Sequence, residues 1–195
     1  MLGGLGLSFS IDPPDIDESE PESLPDRAAV RRWVRQLAVD KAAAVAQRQA
    51  ADTWILAADT IVVLGAKVFG KPTDEAHARA MLSELQGRAH TVMTAVALRR
   101  GAPGGTVDDE VWAEVAETEV TFYPCSAEEI AAYVATGESL DKAGAYAAQG
   151  IGALIIEKLD GCYFNVVGLP ISVVGRLLRQ AGFDLWSAAS APVER

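Results

Sequence analysis

Residues 57–64 read AADTIVVL and residues 70–72 read GKP, and these two runs are the most informative parts of the sequence for the fold and for a candidate site. The first run is aliphatic and β-branched, so it predicts a buried strand from Trp54 to Leu64. Asp59 puts a carboxylate inside this apolar strand, where an unpaired charge is costly to bury. A charge in such a place commonly meets a metal ion, a cation or a substrate proton. The alternative is an aspartate that caps a turn at the strand end.

Length and composition indicate one ordinary globular domain. The chain has 195 residues, of which 50% are hydrophobic and 23% are charged, enough for a sizeable core. The formal net charge of −10 argues against non-specific binding to nucleic acid or to an anionic membrane. No apolar run is long enough to span a membrane, and no secretory signal is apparent, so we expect a cytoplasmic protein.

Cysteine and histidine usage does not favour a zinc or disulfide protein. Cys125 and Cys162 lie far apart without a CxxC pair, which is typical of inert thiols in a reducing compartment. His77 and His90 belong to neither an HxxxH nor an HExxH pattern, so a zinc site is not expected.

Helix and strand patterns alternate along the chain. Asp26 is a candidate N-cap for a helix over 27–50, and Thr73 is a candidate N-cap for a second helix that ends at Gly87. The later patterns predict an antiparallel pair of strands at 90–98 and 111–122, followed by a helix that begins with a capping box of Ser126 and Glu129. They also predict short strands at 151–156 and 162–167, joined by a hairpin at 160–161. A last helix is predicted over 170–181. We therefore expect one mixed α/β domain over residues 1–185 and a disordered tail at 186–195.

Polar groups stand out at four places in this pattern: Asp59 with Thr60, Lys71 in its Gly-Lys-Pro run, the small-residue loop at 141–150, and Glu18 with Lys41. A surface lysine and an ordinary flexible loop are the alternatives for the second and third places. Several carboxylates and lysines without a histidine base suit metal-assisted attack on a phosphate, because magnesium and manganese prefer carboxylate and phosphate oxygens. No Walker A loop is present, so a P-loop NTPase is not expected.

Six motifs in order resemble the Maf family of nucleoside triphosphate pyrophosphatases: residues 15–18, 57–63, 70–72, 90–94, 141–150 and 165–170. The likeness extends from about Leu5 to Gly182, which is nearly the whole chain. It implies an elongated mixed sheet with flanking helices and two lobes around a cleft, similar to inosine triphosphate pyrophosphatases. It also implies hydrolysis of a nucleoside triphosphate between the α and β phosphates.

The resemblance further implies roles for single residues. Asp59 corresponds to the proton acceptor that activates water, and Glu18 and Asp59 are candidate ligands for Mg²⁺ or Mn²⁺. Thr60 and Gln149 match positions tied to base selection. The candidate phosphate contacts are Lys41, Lys71 and Lys142.

The loop at 141–149 and residues 165–167 are similar to the branch of the family that acts on dTTP and UTP. The branch that acts on 7-methylguanosine triphosphate has Glu where Gln149 stands, and an amide can both donate to and accept from the O4/N3 edge of uracil or thymine. The alternative is a catalytically weak Maf-like regulator of cell division. A homodimer is common in such folds.

The chain departs from the family pattern at its N-terminus. The family begins with a strand and a Ser-x-Ser-Pro-Arg-Arg segment, whereas residues 1–7 correspond to the end of the helix that follows it. Because a helix N-terminus with paired arginines binds anions, we expect slower hydrolysis than for a chain extended upstream. A misassigned start and a naturally short chain are the two explanations. Arg31 and Arg32 are typical of a solvated helix face and are not obvious substitutes.

Overall fold

The computed structural model describes residues 1–18, 21, 23–105 and 110–188. One five-stranded antiparallel sheet has the order β2-β1-β3-β4-β5. The strands are β1 (Trp54–Leu64), β2 (Lys67–Phe69), β3 (Ala89–Arg100), β4 (Val111–Phe122) and β5 (Ile156–Asp160). The helices are α1 (Arg27–Ala46), α2 (Glu75–Leu85), α3 (Ala127–Val134), α4 (Tyr163–Val166), α5 (Ile171–Gln180) and α6 (Leu185–Ala188). The predicted mixed α/β class is confirmed, while the likeness to inosine triphosphate pyrophosphatases stays a prediction.

Helices cover both faces of the sheet, because side chains alternate between the faces along each strand. On β3, Met93, Ala95 and Ala97 pack against α1 in one cluster. The even-numbered positions pack on the opposite face in two separate clusters, one with α2 and α3 and one with α5. A row of polar side chains lies on that second face, and it becomes part of the site described below.

Helix α1 begins where its cap predicts and ends earlier than expected. The Asp26 carboxylate accepts a hydrogen bond from the backbone N–H of Ala29 at 2.7 Å. The predicted end at Ala50 is wrong, because the backbone N–H of Ala102 donates to the Ala46 carbonyl at 2.8 Å. Gly101 approaches so closely that a Cβ there would lie 2.0 Å from the Ala50 carbonyl oxygen. The chain after Ala46 therefore turns beneath the end of β3.

The N-cap of α2 is Asp74 rather than the predicted Thr73. The Asp74 carboxylate accepts from the backbone N–H of His77 at 2.7 Å, while the Thr73 hydroxyl contacts the His77 ring at 3.2 Å. The capping box of Ser126 with Glu129 is confirmed at the start of α3.

The segment 150–167 differs most from expectation. Gly150–Ile155 forms a 3-10 helix, and the predicted second strand is instead α4, so the predicted hairpin at 160–161 is wrong. The Glu138 carboxylate accepts hydrogen bonds from the backbone N–H groups of Ile151 and Gly152, and these bonds stabilise the 3-10 helix. The Thr118 hydroxyl bonds both the N–H and the carbonyl of Cys162, which ends the strand pairing there.

The predicted tail is helical at its start. Helix α6 covers Leu185–Ala188, and the Asp184 carboxylate accepts from the backbone N–H of Trp186 at 3.1 Å. Residues 189–195 of the predicted tail lie outside the described residues. Within the described part of the chain, no helix is both long enough and apolar enough to cross a membrane.

Candidate active site

A cavity of about 570 Å³ opens beside β1. Within the described residues, β2 pairs with β1 over Val62–Leu64, so the earlier part of β1 has an edge without a paired strand. Residues reach the cavity from both faces of the sheet around this edge. Its charged part is formed by Glu18, Lys41, Asp59, Lys71, Asp141 and Lys142. Its neutral wall includes Thr60, Val62, Val92, Tyr146, Val166, Val167 and Gly168.

Asp59 lies on the α1 side of β1 and is paired at one oxygen. Its Oδ1 accepts a hydrogen bond from Lys41 Nζ at 2.6 Å, and both side chains are only 12% exposed. Its Oδ2 is buried without a hydrogen-bond partner among the described residues. Burial raises the pKa of Asp59 above its ordinary value and outweighs the opposing effect of Lys41. The carboxylate thus keeps one free acceptor in a site where a proton binds more readily than usual.

Lys41 links two carboxylates. It follows Ala38 by three positions on the buried stripe of α1, which directs its stem toward the sheet. Its Nζ also donates to Glu18 at 2.8 Å. Burial, the largest influence, lowers the pKa of Lys41, but its hydrogen bonds to Asp59 and Glu18 and the attraction of their charges together outweigh burial and raise the pKa. Lys41 therefore stays an ammonium group.

A second group of charges comes from the loops after β2 and before β5. The backbone N–H of Gly144 donates to the Gly70 carbonyl at 2.9 Å, which brings the two loops together. Gly144 has φ +69, and a Cβ there would lie 2.9 Å from Val62 Cγ2. Lys142 Nζ contacts the Asp141 carboxylate at 2.6 Å and holds the pKa of that carboxyl below its usual value. Lys71 lines the same cavity from the Gly-Lys-Pro run.

The neutral wall rests on buried hydrogen bonds. Thr60 and Thr94 face each other on β1 and β3, with their hydroxyl oxygens 2.9 Å apart. The Thr94 hydroxyl donates to the carbonyl of Asn165 at 3.0 Å. The Asn165 side chain donates from Nδ2 to the Val92 carbonyl and to the Thr118 hydroxyl. These bonds fix α4 on the sheet, and α4 leads directly into the cavity-lining residues 166–168.

The structure brings six of the seven predicted site residues to this cavity: Glu18, Lys41, Asp59, Thr60, Lys71 and Lys142. Gln149 is exposed and is not among the lining residues, so its part in base selection stays a prediction. Thr94 and Asn165 support the neutral wall through hydrogen bonds, and the sequence alone assigns no role to either residue. Both residues lie within motifs that resemble the family, at 90–94 and 165–170, but strand register alone brings Thr94 to Thr60.

A divalent ion at this cavity would need ligands beyond the side chains that the structure describes. Among the described residues, no group of three or more histidine, cysteine or acidic side chains is arranged to hold an ion. Glu18 and Asp59 contact Lys41 Nζ, but the second oxygen of Asp59 has no hydrogen-bond partner in the described part of the chain. Two carboxylates fit an ion of the magnesium class that takes its remaining ligands from water and substrate phosphates.

Comparison with known proteins places this geometry in context. The family model described as Maf-like protein matches residues 1–181. A Moorella thermoacetica protein named dTTP/UTP pyrophosphatase is 48% identical over 189 residues, which cover 95% of this chain and 91% of the relative. Proteins with the same name from Syntrophomonas wolfei and Anaeromyxobacter sp. (strain Fw109-5) are 46% and 44% identical. They align with 95% and 100% of this chain, and with 93% and 90% of their own lengths.

Proposed function

The chain belongs to the Maf family, and on that premise we propose that it hydrolyses dTTP and UTP to the monophosphate and pyrophosphate. The observation that carries this proposal is the Lys41–Asp59 pair at the open edge of β1, beside a cavity of about 570 Å³. That volume lies in the range of small-molecule sites. The names of the relatives supply the substrate class.

Charge balance supports a metal-bound triphosphate as the substrate. Among the residues that the structure describes, three lysines and three carboxylates line the cavity, and their formal charges cancel. A nucleoside triphosphate brings several further negative charges. Lys41, Lys71 and Lys142 would contact the phosphates as point charges. Glu18 and Asp59 would hold a divalent ion, which when bound neutralises phosphate charge.

Asp59 has the properties of a general base. Its Oδ1 is held by Lys41, so we assign the proton from water to Oδ2, the buried oxygen that has no hydrogen-bond partner among the described residues. Burial raises the pKa of this carboxyl, which makes the carboxylate a better base than an exposed aspartate. The water oxygen forms a bond to one of the phosphorus atoms that flank the α–β bridging oxygen. The bond from that phosphorus to the bridge breaks, so the attacked side keeps the water oxygen and the other side leaves with the bridging oxygen. Either way the products are the monophosphate and pyrophosphate.

A substrate panel tests the proposal directly. Incubation with dTTP, UTP, CTP and 7-methyl-GTP, each with Mg²⁺ or Mn²⁺, is followed by measurement of released pyrophosphate. We expect dTTP and UTP to be turned over faster than the other two. Release of orthophosphate alone, or no release from any nucleotide, would contradict the proposal. A homodimer and a cytoplasmic location stay predictions that this assay does not address.

A further inference from the structure

The hydroxyl groups of Thr60 and Thr94 form a directional chain behind the cavity. Thr94 is fully buried, and its oxygen lies 3.0 Å from the carbonyl oxygen of Asn165. A carbonyl can only accept, and two oxygens at this distance repel unless a hydrogen lies between them. The single hydroxyl hydrogen of Thr94 is therefore committed to Asn165.

The direction of the next bond follows. Thr60 and Thr94 are joined by a 2.9 Å hydrogen bond, and Thr94 has no second hydrogen to give. Thr60 must donate to Thr94. Thr60 lines the cavity, and its one hydrogen is directed to Thr94, so any hydrogen bond that its oxygen makes with a ligand there is one that it accepts.

Asn165 keeps this chain in place. Its backbone carbonyl accepts from Thr94 and also from the N–H of Gly168 at 3.0 Å. Its side-chain amide is fixed by bonds at 3.0 Å to the Val92 carbonyl and at 2.9 Å to the Thr118 hydroxyl. With φ +106, Gly168 comes close enough that a Cβ there would lie 3.5 Å from the Thr60 oxygen. The carbonyl that orients Thr94 is thus held rigidly beside the neutral wall.

We propose that Thr94 and Asn165 are positioning residues that orient the Thr60 hydroxyl as a hydrogen-bond acceptor, and that this acceptor selects uracil and thymine over cytosine. Uracil and thymine carry an N3–H donor, whereas N3 of cytosine is a bare acceptor that a second acceptor repels. The neutral wall with Val62, Val92 and Tyr146 is the part of the cavity without charge, and it suits a base. The inference rests on the proposed function and extends it to the choice between pyrimidines.

The test measures the ratio of kcat/KM for UTP to that for CTP. Thr94→Val keeps the side-chain shape but removes the acceptor for the Thr60 hydrogen, which can then rotate toward the cavity. We expect the ratio to fall about tenfold, the effect of one redirected hydrogen bond. Thr94→Ser keeps the hydroxyl and is expected to keep the ratio. Thr91→Val is the matched control, because Thr91 lies on the same strand but outside the cavity lining.

A purely structural role for Thr94 would lower both kcat/KM values together and leave the ratio unchanged, which would overturn the inference. A second measurement needs no variant and so does not depend on folding. 3-Deaza-UTP has carbon in place of N3, and we expect the unsubstituted chain to use it about tenfold less well than UTP. Equal use of the two would also overturn the inference. No turnover of UTP by the unsubstituted chain would overturn the proposed function itself, and the inference with it.

Discussion

The Lys41–Asp59 pair predicts a loss of stability that depends on pH. Lys41→Met removes the ammonium group and keeps an unbranched apolar stem. Asp59 then remains in a site where 12% of its side chain is exposed, without the partner that lies 2.6 Å from Oδ1. The nearby carboxylate of Glu18 adds repulsion of the same sign. The pKa of Asp59, already raised by burial, rises further in the variant.

The magnitude follows from two limits. Breaking a buried ion pair costs about 3–5 kcal/mol when the remaining charge stays ionised. The variant can avoid part of this cost by protonating Asp59, whose ordinary pKa is 3.8. Each pH unit above that value costs about 1.4 kcal/mol, so protonation costs about 4 kcal/mol at pH 7 and about 1.6 kcal/mol at pH 5. We expect a loss of about 3–4 kcal/mol at pH 7 and at most about 1.6 kcal/mol at pH 5.

Urea unfolding followed by tryptophan fluorescence measures this loss, with each variant compared with the unsubstituted chain at the same pH. The sign is set by the raised pKa: the penalty is absent when Asp59 is protonated in both states, and it grows as pH rises. The double variant Lys41→Met/Asp59→Asn has no buried charge at this place and is expected to differ little between the two pH values. An equal loss at pH 5 and pH 7 for Lys41→Met alone would refute the reasoning.

Three further predictions concern other parts of the fold. Burial lowers the pKa of His90 to about 4, so between pH 7 and pH 5 the unfolded chain takes up a proton and the folded chain does not. We expect the unfolding free energy to fall by about 2 kcal/mol over this pH range because of His90. This part of the pH dependence is expected to be absent in His90→Phe. Asn165→Ala removes two buried hydrogen bonds, including the one to the Val92 carbonyl, and is expected to lower the unfolding free energy by about 2–4 kcal/mol in urea titrations. In steady-state assays, Lys71→Gln is expected to raise KM for UTP about tenfold, because one positive charge is lost from the cavity. Lys67→Gln is the control and is expected to leave KM unchanged, because Lys67 pairs with Glu84 outside this cavity.

The long elements were predictable because their signals are local. The β-branched run predicts β1 with its observed bounds, and the cap residues Asp26 and Ser126 mark the starts of two helices. The segment 150–167 was not predictable in this way. Glu138 and Thr118 lie outside this segment and form hydrogen bonds with its backbone, which set its conformation. The local sequence pattern of the segment does not predict such bonds.

The site was predictable in its charges and not in its hydrogen bonds. Asp59 stands out because a carboxylate interrupts an apolar strand, and Lys41, Lys71 and the loop with Lys142 also stand out as polar groups. The family resemblance adds the role of these lysines as phosphate contacts. The bridge from Lys41 to Asp59 and Glu18 depends on how α1 crosses the sheet, which sequence periodicity does not determine. The contact of Thr60 with Thr94 likewise depends on strand register.

The most direct test of the account is pyrophosphate release by Asp59→Asn. The substitution preserves the shape of the side chain but removes the free acceptor oxygen, so we expect kcat for UTP to fall by about 10²–10⁴-fold. Asp40→Asn is the matched control, because Asp40 is exposed on α1 beside Lys41 and bonds Gln36 instead of lining the cavity. Circular dichroism verifies that both variants fold. Full activity in a folded Asp59→Asn variant would contradict the assignment of this carboxylate as the base.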